Sequence, residues 1–194
     1  MKRSVFLAVS VAALALAGCK KSEAPAGDGA ATTAAADDSM ANTTATTPAD
    51  AAATANPDQA FADAAAASDA FEIQSSKLAE TKGQRAEVKR FAAAMIKAHT
   101  ESTAKLKTAA GAASPAITPQ PQLTPMQQQT LDALSSKSGA DFEAGYAKAQ
   151  VEAHQMTLDK LKAYSANGAQ PTLKTFATGM IPAVTAHLNM AKAL

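Results

Sequence analysis

Hydrophobic positions are spaced in two different ways along this chain. Near the start, Val5 to Ala17 form an apolar run interrupted only by Ser10. From Asn56 onward, apolar residues return every three or four positions, the period of amphipathic helices. Asn56-Pro57-Asp58 is a helix start, with a capping side chain ahead of a proline at the first helical position. The first long helix is expected to run to about Lys82 and stop at Gly83, and the second from about Arg85 to Ala110 before Gly111. A proline-rich stretch with Pro115, Pro119, Pro121 and Pro125 follows. Thr124 to Gln127 has the form of a capping box that opens a short helix to about Lys137. Ser138 to Asp141 has the same form and opens the third long helix, which ends at Asn167-Gly168. Pro171 starts the fourth, with a kink expected between Gly179 and Pro182. No stretch alternates with period two, so the pattern predicts an all-α, up-and-down four-helix bundle with a short extra helix before the third long one.

Projected at ~100° per residue, each long helix carries one ionisable residue on its apolar stripe. In the second helix His99 lies among Val88, Ala92, Met95, Thr103 and Leu106. In the fourth, His187 lies among Leu173, Phe176, Met180, Val184, Ala191 and Leu194. His154 of the third helix lies with Ala147, Gln150, Leu158 and Leu161, flanked by Tyr146, and Glu72 of the first lies beside Phe61, Ala65, Ser68 and Ala79. All four sit near the middle of their helices, so antiparallel packing brings them within roughly one or two turns of a common level. Three imidazoles and a carboxylate can hold a single divalent metal ion. The same four groups can also form a buried polar network whose members satisfy one another. Glu143 projects near the same stripe, about three turns away.

Composition narrows the function classes. The chain is 4% aromatic, lacks tryptophan and has one cysteine, Cys19, so an internal disulfide framework is excluded. Its net charge is +1. Without Lys2 and Arg3 the count is 16 basic against 17 acidic side chains, which gives no electrostatic case for nucleic acid. Lys2 and Arg3 precede an apolar run too short to cross a ~30 Å hydrocarbon core, the pattern of a signal peptide. Its end, Leu16-Ala17-Gly18-Cys19, resembles the lipobox of bacterial lipoproteins. That resemblance implies a signal peptide over 1–18 and acyl chains on Cys19 that anchor the protein to a membrane. With lysine at position 20, it implies the outer membrane, facing the periplasm. Residues 20–56 are mostly Ala, Thr, Ser, Asp, Gly and Pro with no large apolar side chain except Met40. Such a composition reads as a disordered tether, leaving 57–194 as the folded domain.

Several residues resemble the bacterial domain of unknown function 4142 family. They are Phe71-Glu72, Phe91 to Met95 with His99, Phe142 with Tyr146, Gln150 and His154, and the ending from Ile181-Pro182 through His187 to Ala191. The resemblance covers about 57–194 and implies a ferritin-like bundle in a secreted or envelope-anchored protein. Ferritin-like di-iron centres use Glu-x-x-His on two helices, but Ile96 and Val184 stand three before His99 and His187. A di-iron centre is therefore not expected. The family often has an acid just before the histidine of the second helix; Ala98 stands there, which removes a possible partner for His99.

No Gly-x-Ser-x-Gly, phosphate loop or His-Glu-x-x-His occurs, and a lipidated Cys19 leaves no thiol for catalysis. The expected function is a non-enzymatic binding or structural module of the cell envelope, whose ligand is an envelope protein or a small molecule. The alternative is a mononuclear metal protein or degenerate ferritin-like oxidoreductase that uses Glu72, His99, His154 and His187. A third reading makes the short helix around Met126 a docking surface.

Overall fold

The computed structural model describes residues 56–194. The signal peptide expected over 1–18, Cys19 and most of the expected tether lie outside the described residues. Five helices follow in order: α1 Pro57–Lys82, α2 Ala86–Gly111, α3 Pro125–Ser135, α4 Gly139–Asn167 and α5 Pro171–Ala191. The described residues contain no strand, and none of their helices is long and apolar enough to cross a membrane.

Local chemistry accounts for the ends. Asn56 accepts hydrogen bonds from the amides of Asp58 and Gln59, and Thr124 forms a reciprocal capping box with Gln127. At Ser138 the expected box does not form; its side chain makes no capping hydrogen bond. Gly139 enters α4 at φ 56°, so the chain reaches this helix through a left-handed residue rather than the regular first turn that a box needs. Gly83 is required for a different reason. A Cβ there would stand 2.6 Å from the Ala79 carbonyl oxygen. α5 runs through Pro182 as one helix.

α1 pairs with α2 and α4 with α5, while α1 meets α4 and α2 meets α5 across the seam between the two hairpins. Hydrogen bonds fix the directions. Asp58 at the start of α1 accepts from the Tyr164 hydroxyl near the end of α4. Gln84, after the end of α1, donates to Glu143 near the start of α4. α1 and α4 are therefore antiparallel, and α2 ends at the opposite end of the bundle from where α4 begins. The intervening chain must travel the bundle's length, the single long crossover of ferritin-like bundles. It does so stepwise. Gln120 N–H is held by Asp63, Gln127 donates to the Ala67 carbonyl, and Lys82 donates to the Ser135 and Lys137 carbonyls.

The core consists of two apolar clusters. One contains Phe61, Leu106, Leu158, Leu161 and Leu173; the other contains Phe71, Val88, Met95, Phe142 and Tyr146. Phe61 stacks on Tyr164 with ring centroids 3.8 Å apart. Alanine fills many of the remaining core positions, so the helices approach closely and little of the core is aromatic.

Two stripes are rotated from their expected positions. In α1 the buried side includes Ala62, Ala66, Asp69, Glu72, Ser75, Ser76 and Ala79, whereas Ala65 and Ser68 are only half-buried. The cause is the alanine-rich stretch from Ala62 to Ala70, where alanines point to every side and give periodicity little to discriminate. In α5 the buried line is Leu173, Ala177, Val184, Leu188 and Ala191. Phe176, Met180, His187 and Leu194, expected on that line, are half-buried at its edge. The small side chain of Ala177 allows the close contact, and the larger residues flank it.

Candidate metal centre

Between the two apolar clusters lies a layer of polar side chains. His99 from α2 and His154 from α4 are 4% and 1% exposed, and Glu72 from α1 is 1% exposed. His187 from α5 completes the layer and is half-buried. The three imidazole centroids are 5.5, 5.7 and 5.6 Å apart, close to an equilateral triangle. One ligand atom from each of the three lies within 4.8 Å of the other two.

Each buried ring is fixed by the nitrogen facing away from the centre. His99 Nδ1 is 2.8 Å from Asp69 Oδ1, and His154 Nδ1 is 2.8 Å from the Gln150 carbonyl oxygen. In the neutral ring, a Nδ1–H donated in these directions leaves Nε2 with a lone pair, and both Nε2 atoms are buried without a partner. Nδ1 of His187 is also buried and unpartnered. A network satisfying itself would not leave these three nitrogens orphaned, together with both Glu72 oxygens and Gln150 Oε1. Metal–nitrogen bonds of ~2.0 Å place three nitrogens about 3.5 Å apart, so small ring rotations close this triangle on an ion. The donor set therefore fits one metal ion, which His99, His154 and His187 would hold.

Glu72 is placed differently from its expected role. It shares the layer, but Oε1 is 3.4 Å from His154 Nδ1, the nitrogen already facing the Gln150 carbonyl, and it is outside the triangle of ligand atoms. Burial pushes its carboxyl up to about 7, against the opposing pull of charge on His99. Around it, Gln150 donates to Ser75, and the Ser76 and Tyr146 hydroxyls are 2.8 Å apart.

Charge is unequally distributed over the imidazoles. Burial, then charge on His99, holds His154 down at about 3 and His187 at about 4. Burial also opposes a charge on His99, but the hydrogen bond to Asp69 and the charges of Glu72 and Asp69 outweigh it and raise its pKa. His154 and His187 are thus neutral near neutral pH, the form in which an imidazole can coordinate a metal.

Asp69 is a residue of the candidate centre that the sequence pattern did not single out. It is 4% exposed and takes the place of the acid absent at Ala98, reaching His99 from α1 rather than from α2. Thr103 Oγ1 lies 3.2 Å from Asp69 Oδ2. A signal was available, because Asp69 and Glu72 are three apart and share a helix face. Glu143 does not belong to the centre. It accepts from the Gln84 and Arg85 amides and pairs with Arg85 Nε at 2.7 Å, closing the start of α2.

The fold and site define a helical bundle with a buried three-histidine candidate metal centre. The match to the model of the domain of unknown function 4142 spans residues 43–194, and the chain belongs to that family. A solved structure, CopM in the Cu(I)-bound form, is similar with a TM-score of 0.58 at 20% identity, over 70% of this chain and 93% of that one. CopM in the Cu(II)-bound form has a TM-score of 0.55 over the same shares. At that identity the likeness establishes the fold. No curated protein matches.

Proposed function

We propose that this protein is a copper-binding helical-bundle module of the cell envelope, which holds or carries the ion rather than turning over a substrate. The observation that carries this reading is the trio of unpartnered imidazole nitrogens, His99 Nε2, His154 Nε2 and His187 Nδ1, on rings clustered within one buried layer. An all-imidazole donor set suits copper, zinc, iron and nickel, and of the divalent ions copper binds such sites most tightly. The similarity to CopM, described in both Cu(I)- and Cu(II)-bound forms, favours copper among these. In this reading the lipobox supplies the location. Acyl chains on Cys19 anchor the chain to the outer membrane, and residues 20–56 tether the bundle in the periplasm.

The test is metal analysis of the chain purified from the envelope without chelator. Elemental mass spectrometry is expected to find close to one copper per chain, lost in a His99→Ala/His154→Ala variant. A chain that neither retains copper nor takes it up when supplied would overturn the reading.

A further inference from the structure

The three histidines are held unequally. His99 is braced by Asp69 at 2.8 Å and His154 by the Gln150 carbonyl at 2.8 Å, and both rings are buried. Turning His99 out would strand a buried carboxylate. Turning His154 out would break its Nδ1 bond to the Gln150 carbonyl and carry a ring that is 1% exposed out of the core, and both losses are costly. His187 has no such brace; its Nδ1 lacks a partner. It is also the only one of the three that is not fully buried, and it sits at the edge of the α5 stripe while Val184, Leu188 and Ala191 carry the packing. One turn earlier, Pro182 supplies no amide to the helix. The Thr178 carbonyl, which that amide would have met, therefore lacks its helical partner, and α5 is one backbone hydrogen bond short in the turn that ends at Pro182.

We infer that His187 is the exchange ligand of the centre. Copper enters and leaves along α5 as this ring turns toward solvent, while His99 and His154 remain in place as a fixed pair. The inference rests on the copper reading above and deepens it. Turning His187 outward breaks no side-chain hydrogen bond to the described residues, so its motion is the least costly way to open the site. Asp69 acts as a positioning residue, because it keeps His99 in the tautomer that presents Nε2.

The experiment loads the full chain with one equivalent of Cu(I) and follows transfer to an excess of a chromogenic cuprous chelator in a stopped-flow instrument. For the native chain, the rate is expected to level off as chelator rises, because opening at His187 becomes limiting. His187→Ala is expected to keep one copper per chain, transfer it at least tenfold faster and lose the plateau. His187→Gln is measured beside it, with circular dichroism to show an intact bundle. His99→Ala and His154→Ala are expected to lose stoichiometric loading. Transfer from the His187 variants within twofold of the native rate would overturn the inference, as would loss of loading equal to that of the His99 and His154 variants. A native chain that takes up no copper fails at the loading step, before any transfer is measured, and overturns the copper reading together with the inference.

Discussion

Asp69 Oδ1 stands 2.8 Å from His99 Nδ1, joining α1 to α2 through two buried side chains. The contact selects the tautomer of His99 and directs Nε2 toward His154 and His187. Outer carboxylates of this kind typically change metal affinity 10–100-fold when removed. Asp69→Asn is therefore expected to weaken copper binding by roughly that factor while leaving one site per chain. Competition against a chelator of known affinity measures it, and an unchanged affinity would show that the contact serves packing alone.

Glu72 carries the opposite lesson, because it is buried without a hydrogen-bond partner. Its carboxyl is pushed up to about 7 by burial. In the metal-free protein, the unfolded chain ionises this group from about pH 4.5 while the folded chain holds the proton until about pH 7. Its contribution to stability thus falls as pH rises through that window. Glu72→Gln is expected to gain stability relative to the native chain at pH 8 and to show no such gain below pH 4.5. Urea unfolding at the two pH values checks this. Copper stoichiometry should survive the substitution, because the carboxylate stands outside the triangle of ligand atoms; its loss would make Glu72 a ligand.

Glu143 behaves in the reverse sense. Hydrogen bonds from Arg85 and Gln84, together with the Arg85 charge, hold its carboxyl at about 2. It therefore adds stability that is complete above pH 4.5 and is lost as pH falls toward 2. Glu143→Gln is expected to be less stable at pH 7 and to lose less stability between pH 4.5 and 2. Parallel acid titrations followed by circular dichroism would reveal equal losses if this account is wrong.

Leu106 is 0% exposed in the cluster on one side of the polar layer. Leu106→Ala removes buried methyl groups and leaves a cavity, so unfolding free energy is expected to drop by about 2–5 kcal/mol. Because the donors belong to the layer and not to that cluster, copper stoichiometry should be unchanged in the folded variant. Denaturant titration and metal analysis of one preparation test both halves.

Much of this molecule was legible one helix at a time. Helix starts at Asn56 and Thr124 and the stop at Gly83 are local chemistry, read from residues a few positions apart, and the structure places them there. Where local signals carry little contrast, as in the alanine stretch of α1, the pattern pointed to the wrong side. Ala65 and Ser68 were expected inward, and Ala62, Ala66 and Asp69 are the residues that face the core.

An all-helical domain with one ionisable residue near mid-depth on the expected apolar stripe of each long helix could be read from the chain alone, because a 3.6-residue period and a count along the helix axis need no knowledge of neighbours. Which of those groups converge depends on how the helices pack. Helix rotation and the long crossover set α4 beside α1 and α5 beside α2, and that arrangement gathers His99, His154 and His187 while leaving Glu72 beside the ring nitrogen of His154 that already faces Gln150. The partner of His99 was likewise a matter of packing. Asp69 lies thirty positions away in the chain, a distance over which side-chain periodicity holds no information and close contact between two helices holds all of it.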